Sequence, residues 1–201
     1  MEETTPPQAK SGTMTNVLLL ALVLILGGSA FYFYTTGEHH DHDHDHDHDH
    51  DHVHHMHVES QRDFVAGMIP HHEEAVVTSR ILLAQGGTTE AIRALAEDII
   101  RVQEEEIAQL KAWHEEWYGE PYVDDGSYMP MMRPLEGLSG VELDRTYLED
   151  MIVHHEGAIL MAEEVMPHIT HEEIRAMAND IMTTQAAEIA LMREFLEGLG
   201  E

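Results

Sequence analysis

Two eight-residue segments with adjacent histidines are the part of the sequence best suited to chemistry. The first reads MIPHHEEA (residues 68–75), and the second, 83 residues later, reads MIVHHEGA (residues 151–158). Imidazole nitrogens, carboxylate oxygens and thioether sulfurs are all metal ligands, and thioethers favour soft ions such as copper(I) and silver(I). The two segments therefore indicate a duplicated feature whose chemistry would be metal binding.

Helical spacing places one histidine of each pair on an inward-facing stripe. In steps of three and four residues, the first segment gives Met68 and then His71, and the second gives Met151 and then His154. Both stripes are otherwise mainly apolar, so each is interrupted by a histidine one turn after a methionine. The second histidine of each pair is expected on the flank of the same face: His72 and His155.

Two further predicted helices carry an amide and a carboxylate at matching places on apolar stripes. One turn separates Gln103 from Glu106, and one turn separates Gln185 from Glu188. Burying a carboxylate without a partner costs several kcal/mol, so something must satisfy these side chains. One interpretation is a structural polar layer, with the carboxylates hydrogen-bonded to His and Gln across the bundle. The other is a metal site, with Met68 and Met151 one turn away, that is lined by His71, His154, Glu106 and Glu188.

Cap signals divide the region into two helical hairpins, about 60–118 and 139–198. The first helix is predicted to start after Ser60 and to end before Gly86-Gly87, with Pro70 as a kink or as its effective start. The second is predicted from about Thr88 to Tyr118.

The second hairpin begins with a predicted capping box, Ser139-x-x-Glu142, and its first helix stops before Pro167. Its second helix is predicted to open with another capping box, Thr170-x-x-Glu173, and to end at Gly198. Residues 119–138 form the crossover between the hairpins and carry Met129, Met131 and Met132. The pattern predicts an all-α four-helix bundle.

A histidine-rich segment precedes the predicted bundle. Residues 39–57 contain 11 His and 6 Asp, and the two residue types alternate from 41 to 52. No apolar face exists there, so residues 37–58 are predicted to be a disordered tether. Its imidazoles suit zinc, nickel or copper(II) with little geometric selectivity. The candidate tether ligands are His39, His40, His42, His44, His46, His48, His50, His52, His54, His55 and His57.

An uncharged apolar run lies upstream of the tether. Residues 17–34 have the minimum length of a membrane-spanning helix, so residues 17–36 are predicted to be an anchor and residues 1–16 a short cytoplasmic tail. A cleaved secretory signal is the competing interpretation, since Gly28-Ser29-Ala30 resembles a cleavage site. Either interpretation places the bundle, residues 59–201, outside the cytoplasm.

Composition excludes several classes of protein. The 201 residues include no cysteine, which rules out disulfides, thiolate nucleophiles and Cys-ligated metal clusters. The formal net charge is −29, and residues 58–201 alone carry 30 acidic and 9 basic side chains. Such a surface repels phosphate backbones and attracts cations, so nucleic acid is not an expected partner.

The paired histidine motifs closely resemble the bacterial domain-of-unknown-function family 305 (DUF305). Each is followed by A-x-D-I-[IM]-x-x-Q-x-x-E-I, at 96–107 and at 178–189. The resemblance covers about residues 60–198 and implies a ferritin-like four-helix bundle that is exported or membrane-anchored. Some members, of the CopM type, are copper-binding proteins of the cell envelope linked to copper tolerance. The positions that match the family motif are Met68, His71, His72, Gln103 and Glu106, with Met151, His154, His155, Gln185 and Glu188.

The second repeat is the richer in methionine. Met192 stands where the first repeat has Leu110, and Met161 stands where it has Thr78. A soft-metal site is therefore favoured near the second repeat.

The predicted function is a membrane-anchored extracytoplasmic protein that binds or sequesters copper, as Cu(I) or Cu(II), in the periplasm or cell envelope. It would be secreted if the signal is cleaved. One alternative is zinc or nickel buffering by the tether beside a merely structural bundle. Another is a ferritin-like di-metal oxidase, for which Glu73 and Glu156 are additional carboxylates. No catalytic constellation is visible, so an enzyme is not predicted. Metal ions and the membrane are the expected partners, and a second copy or a metal exporter remains open.

Overall fold

The computed structural model describes residues 57–86 and 89–200, which form one compact unit of α-helices. The helices are α1 (Gln61–Gln85), α2 (Glu90–Tyr118), α3 (Gly140–Val165) and α4 (Glu172–Gly198). A single 3-10 turn, Met166–His168, follows α3. The described residues contain no strand, so the prediction of an all-α bundle of four helices is confirmed for this part of the chain.

The ends of the first hairpin follow the local cap signals. The Ser60 hydroxyl accepts a hydrogen bond from the Asp63 amide at the start of α1, and Thr89 does the same for Ile92 at the start of α2. Gly86 ends α1 with φ 80°, a left-handed conformation that favours glycine. Pro70 lies inside α1, so it is not the effective start of that helix.

The predicted capping box at the start of α4 is wrong. The helix begins at Glu172 with His171 as its cap residue and without a side-chain cap. Thr170 instead donates its amide and its hydroxyl to Gln61 Oε1, and the His171 amide donates to the same oxygen. Ser139 does precede α3, but its side chain makes no cap hydrogen bond either.

Helix α1 packs against α2, α3 packs against α4, and the two hairpins meet where α1 contacts α3. Two apolar clusters fill the interior. One contains Leu82, Ile99, Tyr147, Met151 and Met192, and the other contains Phe64, Met68, Leu110, Val165 and Ile181. In every helix the motif His, Gln and Glu residues fall between the segments that supply these two clusters. The fold thereby places one polar layer across the middle of the bundle.

The predictions for the N-terminal region lie outside the described residues. These are the tail 1–16, the anchor or signal 17–36, and the tether up to residue 56. None of the helices in the described part of the chain is long and apolar enough to cross a membrane. His57 and Val58, at the end of the tether, are described, and the Val58 amide donates a hydrogen bond to Glu164 Oε2 in α3.

Candidate metal centre

The centre of the polar layer is a contact between two histidines on different hairpins. The rings of His71 in α1 and His154 in α3 lie 3.8 Å apart between centroids, tilted by 37°. His71 is 2% exposed and His154 is completely buried. Each duplicated motif thus contributes one histidine to the place where α1 crosses α3. The helical stripes predicted that these two positions face inward.

All four ring nitrogens of this pair lack a hydrogen-bond partner. Buried polar atoms in folded proteins nearly always have one, and leaving one without costs about 1–3 kcal/mol. His154 Nε2 does approach Glu74 Oε2, but the 3.4 Å contact lacks hydrogen-bond geometry. Each neutral ring has one nitrogen with a free lone pair, so the pair offers two nitrogens to an ion that takes imidazole ligands.

The surroundings keep the imidazoles in the form that binds metal. Burial lowers the pKa of His71 well below its ordinary value, and the neighbouring His154 lowers it further. Burial also lowers the pKa of His154, although the Glu74 carboxylate opposes this. Neutral imidazole offers a lone pair, whereas the protonated ring offers none. Both rings are therefore available as ligands at neutral pH.

The second histidine of each pair faces a carboxylate of its own hairpin. His155 Nε2 and Glu188 Oε2 are hydrogen-bonded at 2.8 Å between α3 and α4. His72 Nε2 lies 3.0 Å from Glu106 Oε2 between α1 and α2, in a geometry that does not make a hydrogen bond. Both histidines are completely buried, and each faces the partner helix of its own hairpin.

The predicted set of four ligands is therefore divided in the structure. Glu106 and Glu188 pair with His72 and His155, while His71 and His154 pair with each other. The side chains of both glutamates are 16% exposed, so they lie at the edge of the polar layer. The arrangement gives one central imidazole pair and two outer His–Glu pairs related by the duplication.

The two glutamines complete the polar layer on α2 and α4. Gln103 and Gln185 are 2% and 4% exposed, and the Oε1 atom of each has no hydrogen-bond partner. With Glu106 and Glu188 they line a cavity of about 10 Å³. That volume is close to the minimum that holds one water molecule. The glutamines thus border a small gap between α2 and α4 whose lining also includes the apolar side chains of Ile99, Val102 and Ile181.

Glu74 is a member of the centre that the sequence did not identify. Its Oε1 accepts hydrogen bonds at 2.9 Å from the amides of Met131 and Met132, and its Oε2 accepts one from the Tyr128 hydroxyl. Burial raises the pKa of Glu74, but the adjacent His154 and the hydrogen bonds from Tyr128, Met132 and Met131 outweigh this and lower it to about 2. The ionised Glu74 side chain therefore binds the crossover next to the imidazole pair.

The remaining predicted ligands lie elsewhere. Met68, Met151 and Met192 are completely buried within the two apolar clusters. The tether histidines from His39 to His55 lie outside the described residues, and His57 is an exposed residue 3.7 Å from Glu164. Within residues 57–86 and 89–200, no group of three or more His, Asp or Glu side chains is arranged to hold a metal ion.

The additional carboxylates considered for a di-metal site point away from the centre. Glu73 forms an ion pair with Lys111 at 2.6 Å, and Glu156, its counterpart in the second repeat, forms one with Arg193 at 2.8 Å. All four side chains are 41% to 60% exposed. These glutamates therefore form surface ion pairs between the helices of each hairpin.

Comparison with known proteins agrees with this architecture. The sequence model of the domain of unknown function DUF305 matches residues 61–196. CopM, solved in Cu(I)-, Cu(II)- and Ag-bound forms, is 28%, 28% and 29% identical to the chain, with TM-scores of 0.61, 0.61 and 0.62. These matches cover 68% to 69% of this chain and 95% to 97% of CopM.

A DUF305 protein from Streptomyces coelicolor is also similar. It is 28% identical, with a TM-score of 0.63, and the match covers 70% of this chain and 94% of that one. No curated protein sequence matches the chain.

Proposed function

The chain belongs to the DUF305 family, whose sequence model spans residues 61–196, and we propose that it binds copper at the imidazole pair His71–His154. The observation that carries the proposal is that two buried rings from different hairpins are in contact while none of their nitrogens has a hydrogen-bond partner. His72 and His155 also have nitrogens without partners, but each of them faces a glutamate of its own hairpin. Copper accepts imidazole ligands in both of its common oxidation states. A bound ion would satisfy nitrogens that the protein alone leaves unpaired.

The relatives support copper as the ion. CopM has been crystallised with Cu(I), Cu(II) and Ag bound. Silver(I) and copper(I) are both soft ions that prefer nitrogen and sulfur ligands to oxygen. The present chain offers the same donor types in its polar layer and in the methionines around it.

A binding role is proposed in preference to catalysis. Glu73 and Glu156, the additional carboxylates of a di-metal oxidase, are held in surface ion pairs. Glu106 and Glu188 each face a histidine of their own hairpin. The centre that remains is a pair of neutral imidazoles, which suits capture of one ion.

The tether and the anchor extend this proposal. We propose that residues 17–36 anchor the chain in the membrane, with the bundle, of the ferritin-like type, on the extracytoplasmic side. The 11 histidines of the tether would collect copper(II), zinc or nickel ions, while the bundle would hold copper in a more selective site. The net charge of −21 on residues 58–201 would raise the local concentration of any cation.

The test separates the bundle from the tether within the full chain. In a background with all tether histidines replaced by asparagine, copper(I) is titrated against a chromophoric chelator. We expect one tightly held copper(I) ion per chain, and we expect its loss when His71 and His154 are also replaced by asparagine. If the background binds no copper(I) more tightly than about micromolar, the bundle is not a copper(I) site, and the tether remains as the candidate metal-binding segment.

A further inference from the structure

The crossover reaches the imidazole pair at two residues: the Tyr128 ring lies 6.2 Å from the His71 ring between centroids, and the Met131 side chain lies near His71 Nε2. Glu74 holds the Met131 amide at 2.9 Å and the neighbouring Met132 amide at the same distance. Since Glu74 also approaches His154 at 3.4 Å, the carboxylate ties this part of the crossover directly to the centre. The Met131 backbone is therefore fixed beside the two rings.

Gly157 makes room for the Met131 side chain. A Cβ atom on Gly157 would lie 3.3 Å from His71 Nε2, 3.3 Å from Met131 Cε and 3.7 Å from Met131 Sδ. The nitrogen and the sulfur are each close to this one point, so the sum of the two distances, about 7 Å, is an upper limit for their separation. The thioether and the orphaned nitrogen thus share the space that a missing side chain leaves.

The two repeats differ at the positions that create this arrangement. Gly157 occupies in the second motif the position that Glu74 occupies in the first. The first motif supplies the Glu74 carboxylate, which binds the crossover. The second motif has a glycine at this position, so no side chain blocks the approach of the crossover. The duplicated bundle is therefore asymmetric where the crossover meets the histidines.

We propose that Met131 supplies a thioether ligand to the ion held by His71 and His154, and that Glu74 is the positioning residue for this ligand. The inference rests on the proposed copper function. The Met131 sulfur would be the donor that makes the site selective for a soft ion. Thioether sulfur binds copper(I) and silver(I) in preference to zinc. The third donor thus comes from the crossover and not from a helix.

Binding of one ion by these three side chains requires them to move. Metal–nitrogen and metal–sulfur bonds of about 2.0 and 2.3 Å allow a nitrogen and a sulfur to be at most about 4.3 Å apart across one ion. Methionine has three rotatable side-chain bonds, so its sulfur can approach His71 Nε2 while the backbone stays fixed. His71 and His154 must also separate, because two imidazoles that share one ion through bonds of about 2.0 Å have their ring centroids farther apart than the 3.8 Å observed.

Other methionines are placed less favourably. Met129, in the same crossover, is 62% exposed, and Met132 is packed in an apolar cluster. Met68 and Met151 are completely buried within the apolar clusters on either side of the polar layer. Met129 is consequently a matched control, since its substitution changes the same crossover away from the centre.

The experiment uses the full chain with asparagine at the tether histidines. Copper(I) and zinc affinities are measured by chelator competition for Met131→Leu and Met129→Leu, and sulfur coordination is measured by X-ray absorption at the copper edge. We expect Met131→Leu to weaken copper(I) binding by about tenfold or more and to remove the sulfur signal. Zinc affinity should be unchanged, and Met129→Leu should resemble the parent.

The outcomes separate this inference from the proposed function. If Met131→Leu keeps the affinity and the sulfur signal, while replacing His71 and His154 abolishes binding, Met131 is not a ligand and the copper function stands. Loss of the sulfur signal in Met68→Leu or Met151→Leu instead would likewise overturn the assignment. If the parent itself binds no copper(I), both proposals fail together.

The role of Glu74 is tested by the same spectrum. Glu74→Ala removes the acceptor for the Met131 and Met132 amides, so we expect the sulfur signal to weaken while nitrogen coordination remains. Glu74→Gln keeps an acceptor oxygen and should restore the sulfur signal. A merely structural residue would leave the coordination of bound copper unchanged in both variants, and that result would overturn the positioning role.

Discussion

The rings of His71 and His154 lie 3.8 Å apart inside the bundle, on helices from different hairpins. Two protonated imidazoles at this distance would repel each other strongly away from water, so the folded state requires neutral rings. Those neutral rings carry the nitrogens that an ion can use. The proposed copper ligands His71 and His154 therefore also form one of the contacts between the two hairpins.

The metal-free protein should become less stable as the pH falls below about 6.5, the ordinary pKa of histidine. Burial is the main cause that lowers the pKa of both His71 and His154. Between their lowered pKa values and 6.5 the unfolded chain binds more protons than the folded chain, so the free energy of unfolding decreases with acidification. Chemical denaturation of metal-free protein at several pH values checks this.

The control for this prediction is an exposed histidine. The double substitution His71→Leu and His154→Leu should flatten the dependence of unfolding on pH in this range. His168→Asn, in the exposed 3-10 turn, should leave it as in the parent. An unchanged dependence in the double variant would show that the pair is not the source of the acid sensitivity.

Glu74 should contribute stability that disappears only in stronger acid. Its pKa is lowered from 4.5 to about 2, so its contribution is fully present above pH 4.5 and is lost as the pH falls towards 2. The shift converts to about 3 kcal/mol, and solvent screening of this partly exposed carboxylate reduces the expected contribution to roughly 2 kcal/mol. Glu74→Gln should remove this component, which is measured as the difference in unfolding free energy between the parent and the variant at each pH.

The neighbouring residue provides the comparison for Glu74. Glu73 forms an ion pair with Lys111, and both side chains are more than 40% exposed. Exposed ion pairs contribute about 0–1 kcal/mol, so Glu73→Gln should change stability little at any pH. A loss in Glu73→Gln as large as that in Glu74→Gln would refute the special role of the crossover contact.

The helices and the polar layer follow from local sequence, which explains why they could be predicted. Apolar stripes, the cap residue Ser60 and Gly86 act within a few residues of the helix ends that they determine. The contact of His71 with His154 could also be predicted, because the duplicated motifs place both residues on inward-facing stripes. The predicted end of α4 at Gly198 agrees with the structure.

The errors concern contacts between residues that are far apart in the sequence. Thr170 resembles a cap residue, but its amide and hydroxyl bind Gln61, which lies 109 residues away. Glu74 was overlooked because its partners belong to the crossover, whose path has no periodic signal. The one sequence clue was the difference between Glu74 and Gly157 in otherwise matching motifs.

Substitution of Glu106 or Glu188 should change the stability of the protein more than it changes the amount of copper bound. Glu188 makes a 2.8 Å hydrogen bond to His155, whereas Glu106 lies 3.0 Å from His72 without hydrogen-bond geometry. We therefore expect Glu188→Gln to cost about 1–3 kcal/mol and Glu106→Gln to cost less. Denaturation curves measure the cost, and metal analysis should give the same copper content per chain. A reduced copper content would instead make these carboxylates ligands.

Gly157→Ala should separate copper affinity from stability. In a helix interior, alanine is about 1 kcal/mol more favourable than glycine. The new Cβ would lie 3.3 Å from both His71 Nε2 and Met131 Cε. Both are atoms of side chains that can shift by a few tenths of an ångström, so the net change in unfolding free energy should be within about 1 kcal/mol.

The same methyl group would occupy the space between the His71 nitrogen and the Met131 thioether. We therefore expect Gly157→Ala to weaken copper(I) binding by about tenfold while the melting temperature stays near that of the parent. Gly198→Ala is the control, because a Cβ there would meet nothing within 4 Å and the residue is remote from the polar layer in sequence. Chelator competition and thermal unfolding are measured on both variants. Equal copper(I) affinity in Gly157→Ala and the parent would mean that the ion does not use this space.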